Sequence, residues 1–392
     1  MYRAAIVGLG KMGLSHLSIA KAHPDIQVSC VCDTSRYLLD VLHKYAGVKT
    51  YTDFAKMLRE ESLDCLFVAT PSRHHADVVE AALARNLHIF CEKPFALDPE
   101  SGYRLAELAE RKGVVNQVGY HYRFVASFNE AKRLLDKKLI GELHHVRVEA
   151  YGPVVLRRRG MSWRSQKSEG GGSLYDYACH AIDLTNYLVG CPIAISGTVL
   201  NSVFSDAVDD EIYTTLQFAP GFSGQLATNW SDESFRKMSV KLSFWGTNGR
   251  INVDRQELQV YLRSLPEGTE NLAPGWNIRY TTDLSAPVWF YVRGEEYSSQ
   301  IDHFIHCIKT GSPAISNFRS ASEAVLVASM MRKDALRHGT PIERAQLPVT
   351  PAAAPNALPP PRDAASSNAE AATPPRGPRR LMESLFRRPR PD

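Results

Sequence analysis

The first 33 residues place a glycine-rich loop between two apolar segments, and this arrangement constrains the fold more than any other feature of the chain. Residues 4–7 form a short apolar run that leads directly into the pattern Gly8-x-Gly10-x-x-Gly13. A second apolar run, residues 26–32, ends immediately before an aspartate. A strand, a tight glycine turn, a helix and a second strand in this order are typical of the first unit of a dinucleotide-binding Rossmann domain.

Each glycine of this loop has a physical task. Gly8 allows a tight turn out of the strand, Gly10 lets the backbone approach a pyrophosphate, and Gly13 allows the following helix to pack closely. The helix begins near Lys11 and directs its free N–H groups and the positive end of its dipole at the phosphates. We therefore predict that this loop, together with Lys11 and Met12, binds a dinucleotide. A glycine-rich turn without a ligand is the alternative.

The aspartate after the second strand predicts which dinucleotide is bound. Asp33 lies roughly 20 residues past the last glycine, the offset at which a carboxylate reaches the ribose 2′-hydroxyl. A 2′-phosphate would face the same negative charge, so the sequence favours NAD over NADP. Arg36 is close enough in sequence to weaken that preference. Asp33 is also a candidate helix cap for the segment from Ser35 onward, and the two roles are compatible.

The composition is that of an ordinary soluble globular protein. The 392 residues are 44% hydrophobic and 22% charged,. No apolar stretch approaches the roughly 20 residues that a transmembrane helix requires. The first strand starts at the N-terminus, so we expect no signal peptide. The seven cysteines contain no Cys-x-x-Cys pair, which favours reduced thiols in the cytoplasm and no metal site,.

Charge and proline are concentrated at the C-terminal end. The net charge is +4, and residues 345–392 contain seven arginines, four acidic residues and 11 of the 23 prolines. The rest of the chain is therefore close to neutral, which argues against a nucleic-acid partner. A segment this rich in proline and alanine buries too little apolar surface to offset its ordering entropy. We therefore predict that residues 344–392 form a disordered tail.

The body of the chain divides into two patterns. Residues 1–122 alternate apolar strand-like runs with helical runs, which predicts an α/β fold: a Rossmann domain with a parallel, doubly wound sheet. Residues 123–343 carry long β-type runs, and Thr247-Asn248-Gly249 between two of them indicates a hairpin. This half is predicted to be an α+β domain with a large, mainly antiparallel sheet. Helices cover one face, and the other is free for self-association into a homodimer or homotetramer.

Two further clusters are candidates for chemistry. Glu92-Lys93-Pro94 follows a predicted parallel strand, and open α/β sheets bind ligands at the carboxyl ends of their strands,. We expect Lys93 either to project into the cofactor crevice or to be an ordinary solvated lysine. In the second cluster, residues 170–172 are three glycines that allow a ligand to approach the backbone closely,.

The helix after these glycines carries the second pair of candidate groups. It starts at Ser173, and Asp176 and His180 lie one turn apart on one face,. The same pattern is compatible with a capping box formed by Ser173 and Asp176, and with a polar face that is simply solvated.

Six motifs follow one another along the chain: Gly8-x-Gly10-x-x-Gly13, Thr70-Pro71 with His75, Glu92-Lys93-Pro94, Val118-Gly119-Tyr120 with Arg123, Trp163-Arg164, and Gly170-Gly171-Gly172 with Asp176-x-x-x-His180. In this order they resemble the Gfo/Idh/MocA family of oxidoreductases (glucose–fructose oxidoreductase and inositol dehydrogenase). The resemblance extends over residues 1–340. It implies two domains and NAD(P)-dependent oxidation of a sugar or cyclitol.

The resemblance also implies which residues form the site. The cofactor-binding set gains Thr70, Pro71, His75, Glu92 and Lys93. The substrate-binding set comprises Lys93, Tyr120, Arg123, Trp163, Arg164, Asp176 and His180. Within it, we expect His180 to be the general acid/base, because imidazole titrates near the working pH. We expect Asp176 to orient that ring, and Lys93 to donate a hydrogen bond to the reacting oxygen.

The arginines before the three glycines indicate the kind of substrate. Arg158, Arg159 and Arg164 are suited to forked binding of phosphate or carboxylate, which favours an anionic sugar such as a nucleotide-linked or uronic derivative,. A solvated basic loop, with inositol or a free sugar as substrate, is the alternative. An alternative of another class is a non-catalytic NAD-binding regulator or scaffold. The presence of Lys93, Asp176 and His180 together disfavours it.

Overall fold

Two β-sheets organise the chain up to residue 337. The computed structural model describes residues 1–154, 163–219, 221–266 and 271–337. Arg158 and Arg159, which we predict to bind substrate, and the predicted disordered tail, residues 344–392, lie outside the described residues.

The first sheet has six parallel strands in the order β3-β2-β1-β4-β5-β6. This confirms the predicted doubly wound sheet, in which the chain moves outward from β1 in both directions. Sequence analysis missed β3, because three residues at the edge of a sheet carry little periodic signal. The strands are Tyr2–Val7 (β1), Ile26–Cys32 (β2), Lys49–Tyr51 (β3), Cys65–Val68 (β4), His88–Cys91 (β5) and Asn116–Val118 (β6).

Helices connect these strands and begin at polar caps. The backbone N–H of Leu38 donates to Ser35 Oγ, so Ser35 caps the second helix and the alternative that Asp33 does so is wrong,. Asp98 caps the fifth helix, whose first residue is a proline with no N–H to satisfy,. The helices are Lys11–Ala22 (α1), Arg36–Ala46 (α2), Phe54–Glu60 (α3), His75–Ala84 (α4) and Pro99–Lys112 (α5).

The second sheet has eight strands in the order β14-β13-β12-β11-β7-β10-β9-β8. Neighbouring strands are antiparallel except β7 and β10, so the prediction of a mainly antiparallel sheet is confirmed. Thr247 and Asn248 form the predicted hairpin turn between β11 and β12. The strands are Leu143–Tyr151 (β7), Ala194–Asn201 (β8), Glu211–Gln217 (β9), Ser223–Asn229 (β10), Ser239–Gly246 (β11), Gly249–Val253 (β12), Glu257–Leu262 (β13) and Gly275–Tyr280 (β14).

The remaining helices cover this sheet and close the fold. They are Ala126–Asp136 (α6), Cys179–Val189 (α7), Thr281–Leu284 (α8), Glu295–Thr310 (α9) and Phe318–Leu336 (α10). Helices α6, α7 and α10 pack on the second sheet, whereas α9 returns to the first, where Phe304 contacts Phe67 and Phe90. The two parts therefore share a core, and a domain boundary at residue 122 stays a prediction. No helix in the described ranges is long and apolar enough to cross a membrane.

One face of the second sheet exposes large apolar side chains near its β14 edge. Alternate residues of β14 point outward, and Trp276, Ile278 and Tyr280 are each exposed by half or more. Tyr261, opposite Trp276 on β13, extends the same surface. Such a patch is of the kind that proteins cover by association, although self-association of this chain stays a prediction.

Candidate active site

The glycine-rich loop lies at the carboxyl edge of the first sheet and leaves open space for a ligand. A Cβ at Gly8 would lie 2.6 Å from the backbone of Ala69, and one at Gly13 would lie 1.8 Å from the carbonyl oxygen of Gly8. Gly13 is therefore required for packing of α1 against its own loop. A Cβ at Gly10 would meet nothing within 4 Å. An open approach to Gly10, at the N-terminus of α1, fits a bound pyrophosphate.

Asp33 lies beside this loop at the end of β2. Its Oδ2 accepts a hydrogen bond from the N–H of Leu9 at 2.6 Å, and its Oδ1 accepts one from the N–H of Ser35 at 2.8 Å. The carboxylate is therefore held at the mouth of the glycine loop by two amides and is only partly buried. Each oxygen retains a lone pair for a further donor such as a ribose hydroxyl.

The residues after β4 support the loops of the site. Thr70 and Pro71 follow the strand as predicted, but His75 is buried and both of its ring nitrogens face the protein. Nδ1 lies 2.9 Å from the carbonyl oxygen of Pro94, and Nε2 lies 2.9 Å from that of Thr70. Both ring nitrogens have protein partners, and a direct contact of His75 with the cofactor stays a prediction. Its ring lies between the loop after β4 and the loop after β5.

Glu92, also predicted to bind cofactor, is directed into the protein. It is buried, and its Oε1 lies 2.7 Å from Nε2 of the fully buried His16 on α1. A Cβ at Gly119 would lie 2.9 Å from the same oxygen, so the glycine after β6 makes room for this carboxylate. The pair joins the glycine-loop helix to the loop that carries Lys93. A direct contact of Glu92 with the cofactor stays a prediction.

Lys93, Asp176 and Arg164 form an ion-pair cluster between the two halves of the chain. The ammonium of Lys93 donates to Asp176 Oδ1 at 2.9 Å and to the Asp176 carbonyl at 3.0 Å. Arg164 Nε donates to Asp176 Oδ2 at 2.8 Å. The carboxylate is 4% exposed, so both cations meet it in a largely dry setting. The alternative that Lys93 is an ordinary solvated lysine is wrong.

The electrostatics of this cluster keep both partners charged. Burial disfavours the ammonium of Lys93, but the carboxylate of Asp176 outweighs that effect and raises the pKa of Lys93. Burial likewise disfavours the carboxylate, yet Lys93 and Arg164 hold the pKa of Asp176 below its ordinary value,. The Lys93 ammonium carries three protons and donates two of them in these hydrogen bonds to Asp176. The third is left for another acceptor.

His180 lies on the same helix as Asp176 but is not bonded to it. The residue is 4% exposed, and its Nδ1 is buried without a hydrogen-bond partner in the described part of the chain. The expectation that Asp176 orients this ring is therefore wrong, because Lys93 and Arg164 take the carboxylate. Burial, with a smaller effect of Lys93, lowers the pKa of His180 well below its ordinary value. A neutral imidazole is able to accept a proton.

Aromatic rings, rather than a carboxylate, fix the position of His180. The rings of Tyr120, His121 and Tyr122 lie with their centroids 6.0, 5.0 and 5.4 Å from that of His180, and each is steeply inclined to it. Tyr120 was expected to bind substrate. Its hydroxyl is fully buried, so the structure places it beneath His180 as a packing residue.

The turn that leads into α7 is capped by a residue that sequence analysis missed. Residues Leu174–Ala178 form a wide, π-type turn that continues into α7. The N–H of Leu174 donates to Asp209 Oδ2 at 2.6 Å, and Ser173 Oγ is buried without a partner in the described chain. The predicted capping box of Ser173 and Asp176 is therefore wrong. Asp209, in the loop before β9, supplies the cap.

Arg123 was expected to bind substrate, and the structure gives it a different partner. Its Nε and Nη2 donate to Asp183 at 2.9 and 2.6 Å, and its Nη1 donates to the carbonyl of Ile315. Both charged side chains are almost fully buried. The guanidinium is therefore turned away from any open cleft, and it anchors α7 three residues after His180.

Trp163 and Arg164 lie next to the Lys93–Asp176 ion pair. The guanidinium carbon of Arg164 lies 4.7 Å from the centre of the Trp163 ring, and its side chain is 39% exposed. Because Nε is paired with Asp176, the terminal nitrogens of Arg164 are free of hydrogen bonds to the described residues. No group of three or more potential metal ligands occurs in the described ranges.

Comparison with known proteins identifies two family models of the Gfo/Idh/MocA group. The model described as "Oxidoreductase family, NAD-binding Rossmann fold" matches residues 2–120. The model described as "Oxidoreductase family, C-terminal alpha/beta domain" matches residues 132–343. Together they cover both sheets and every residue of the cluster described above.

Individual relatives are distant in sequence, and the matched share of each chain differs among them. The chain is 24% identical over 350 residues to scyllo-inositol 2-dehydrogenase (NAD(+)) of Bacillus subtilis, covering 87% of this chain and 96% of that protein. It is 26% identical over 190 residues to glucose-6-phosphate 3-dehydrogenase of the same organism, covering 48% and 54%. The structure of levoglucosan dehydrogenase in complex with NADH and levoglucosan superposes with a TM-score of 0.76, at 23% identity, over 86% of this chain and 97% of that one.

The cluster geometry predicts a specific effect of Asp176→Asn on Lys93. Without the carboxylate, the buried ammonium loses its counterion, so its pKa falls by at least about 1 pH unit. NMR titration of protein whose lysines carry ¹³C-methyl labels measures this directly. Glu142→Gln, which breaks the exposed Lys138–Glu142 pair, is the matched control and should leave the Lys93 titration unchanged,. An unchanged Lys93 titration in Asp176→Asn would show that another group holds its charge.

Proposed function

Because the chain belongs to the Gfo/Idh/MocA family of NAD-dependent oxidoreductases, we propose that it is a dehydrogenase that oxidises a secondary alcohol of an anionic sugar. The observation that carries the proposal is the buried Lys93–Asp176 ion pair, which forms after β5 in the sheet that also carries the glycine-rich loop, with His180 one turn after Asp176. The charged ammonium can donate a hydrogen bond to the reacting oxygen, and the neutral imidazole can accept the proton that an alcohol loses when its hydride is transferred.

The residues divide the work as follows. The free third proton of the Lys93 ammonium hydrogen-bonds the reacting oxygen and stabilises the negative charge that develops there. His180 takes the hydroxyl proton on Nε2; neither ring nitrogen has a hydrogen bond to the described residues, and Nδ1 is buried. Asp176 holds Lys93 charged and in place, so it acts through the lysine rather than through the histidine. Bound NAD⁺ supplies the hydride acceptor.

The cofactor site is assembled from the first sheet. Gly8, Gly10 and Gly13, with Lys11 and Met12 at the start of α1, would hold the pyrophosphate, since a Cβ at Gly10 would point into open space,. Asp33 would bond the adenosine ribose. Thr70 and Pro71 line the next strand end, on the side of Lys93.

The anionic substrate is supported by the arrangement of Arg164. Its Nε is fixed by Asp176 and its plane lies near Trp163, so its terminal nitrogens form a pre-oriented fork,. Arg158 and Arg159 precede it in the sequence and add positive charge to the same segment. One relative acts, by its name, on a phosphorylated sugar.

A neutral cyclitol is the second candidate substrate. A relative that matches over 87% of this chain is an inositol dehydrogenase by name, and an inositol has no charge for Arg164 to bind. A non-catalytic NAD-binding regulator is the candidate of another class. This alternative does not explain why an ammonium and an imidazole are buried near each other, although burying them carries a desolvation cost.

A panel of paired sugars tests the substrate proposal. We expect kcat/KM for glucose 6-phosphate, glucuronate or a UDP-sugar to exceed that of glucose and myo-inositol by about tenfold or more, because charge-assisted bonds contribute about 1.5–3 kcal/mol. NADH formation followed by absorbance gives the rates. Arg158→Ala with Arg159→Ala should raise KM for the charged member only. Myo-inositol or a neutral hexose as the best substrate, with silent arginine changes, contradicts the proposal.

His180→Ala tests the assigned base. Turnover should fall by roughly a hundredfold or more, the usual scale for a lost general acid/base, while NADH affinity measured by fluorescence stays the same. His144→Ala, at an exposed position of β7, is the matched control and should retain full turnover. Activity that survives within a few-fold at neutral pH would make His180 structural.

Asp33→Ser tests the cofactor preference. Wild-type protein should bind NADH more tightly than NADPH, and the substitution should narrow that gap by about tenfold, equivalent to about 1.4 kcal/mol. The serine hydroxyl is still able to accept the N–H of Leu9, so the loop is retained. Asp40→Ser removes the same charge from the exposed side of α2 and should leave the ratio unchanged. Tighter binding of NADPH by the wild type overturns the assignment.

A further inference from the structure

A second histidine faces the proposed reaction site and has no assigned task. His121 begins the short turn His121–Phe124 that follows β6, so it lies at the same carboxyl edge as Lys93. It is partly exposed, and neither ring nitrogen makes a hydrogen bond to any described residue. Its ring centroid lies 5.0 Å from that of His180, at an interplanar angle of 71°.

The orientation of this ring is fixed by its neighbours. Tyr297 on α9 stacks on it, with centroids 4.7 Å apart and planes inclined by 18°. The ring centroid of Tyr122 lies 4.4 Å from that of His121. A side chain packed against two aromatic rings loses little further freedom on binding a ligand, so it presents its nitrogens in a fixed direction.

The neutral protonation state of His121 is suited to hydrogen bonding with an uncharged ligand group. Burial lowers the pKa of His121 to about 3, a shift that Glu92 opposes and that Lys93, Arg255 and Arg293 reinforce. The imidazole is therefore neutral across the working range of pH and offers one donor and one acceptor. A sugar hydroxyl can donate a hydrogen bond through its O–H or accept one on its oxygen, so the imidazole can bind it in either way.

We propose that His121 is a substrate-binding residue that hydrogen-bonds the hydroxyl on the carbon next to the one that is oxidised. Lys93 follows β5 and His121 follows the neighbouring strand β6, and the ring of His121 lies against that of His180. If His180 and Lys93 engage the reacting hydroxyl, an imidazole centred 5.0 Å from His180 meets the neighbouring hydroxyl of the same ring. The inference rests on the proposed function and adds a determinant of which carbon is presented for oxidation.

Substrate analogues and a variant of His121 form a cycle that tests this. The substrates are the best sugar of the panel and its two deoxy analogues, each lacking one hydroxyl beside the oxidised carbon. In wild type, kcat/KM for one deoxy analogue should be about 10–100-fold below that of the parent sugar, since a site built for a hydroxyl penalises its loss. In His121→Phe, which keeps an aromatic ring against Tyr297, the parent should fall to the level of that analogue.

Controls separate this role from structural damage. Rates on the deoxy analogue should stay within about threefold of wild type in His121→Phe, and His121→Gln should recover part of the discrimination because its amide also donates and accepts. His144→Phe makes the same change at an exposed site and should have no effect. Calorimetric titration of the NADH-loaded protein with the parent sugar and the analogue should show the same loss of preference.

Four outcomes overturn the proposal. Unchanged discrimination in His121→Phe removes His121 from the substrate site and leaves the proposed function standing. A hundredfold loss of turnover on the deoxy analogue makes His121 a catalytic base. A tenfold loss of NADH affinity with unchanged discrimination makes it a cofactor contact. Wild-type protein that oxidises no member of the panel contradicts the proposed function itself, and with it this role.

Discussion

The carboxylate of Asp176 is the interaction on which the site depends. It accepts hydrogen bonds from Lys93, which follows a strand of the first sheet, and from Arg164, which precedes the three glycines. Lys93 and Asp176 are 83 positions apart in the chain, so one buried carboxylate sets the distance between the Rossmann edge and the helix of His180. Removing one partner of a buried ion pair leaves the other uncompensated, at a cost of about 3–5 kcal/mol.

Other buried pairs along the same seam repeat this arrangement. His16 and Glu92 join the glycine-loop helix to the Lys93 loop, and Arg123 and Asp183 join the turn after β6 to α7. Each pair places its charged or polar groups against one another rather than toward a ligand. Among the described residues, the nitrogens that the proposed chemistry uses belong to Lys93, Arg164, His121 and His180.

The sequence predicted the sheet, the glycine loop and the identity of Lys93, Asp176 and His180 as a cluster, because strand ends and helix periodicity are local properties. It did not predict which groups would pair. Helical spacing made Asp176 and His180 neighbours, but a carboxylate in a buried site pairs with the nearest cations, and these come from distant segments. The contacts of Tyr120, Arg123 and Glu92 inside the protein are of this long-range kind. His121 had a signal, since it lies three residues after the end of a parallel strand.

The central claim is that this cleft transfers hydride from a ring carbon of a sugar, with Lys93 and His180 handling the oxygen and its proton. The most direct measurement uses a panel sugar deuterated at the carbon to be oxidised and examines the cofactor by mass spectrometry after turnover. The account predicts that deuterium moves to the nicotinamide in wild type at a rate that falls about a hundredfold in His180→Ala. NADH that forms without deuterium, or deuterium transfer that is undiminished in His180→Ala, would contradict it.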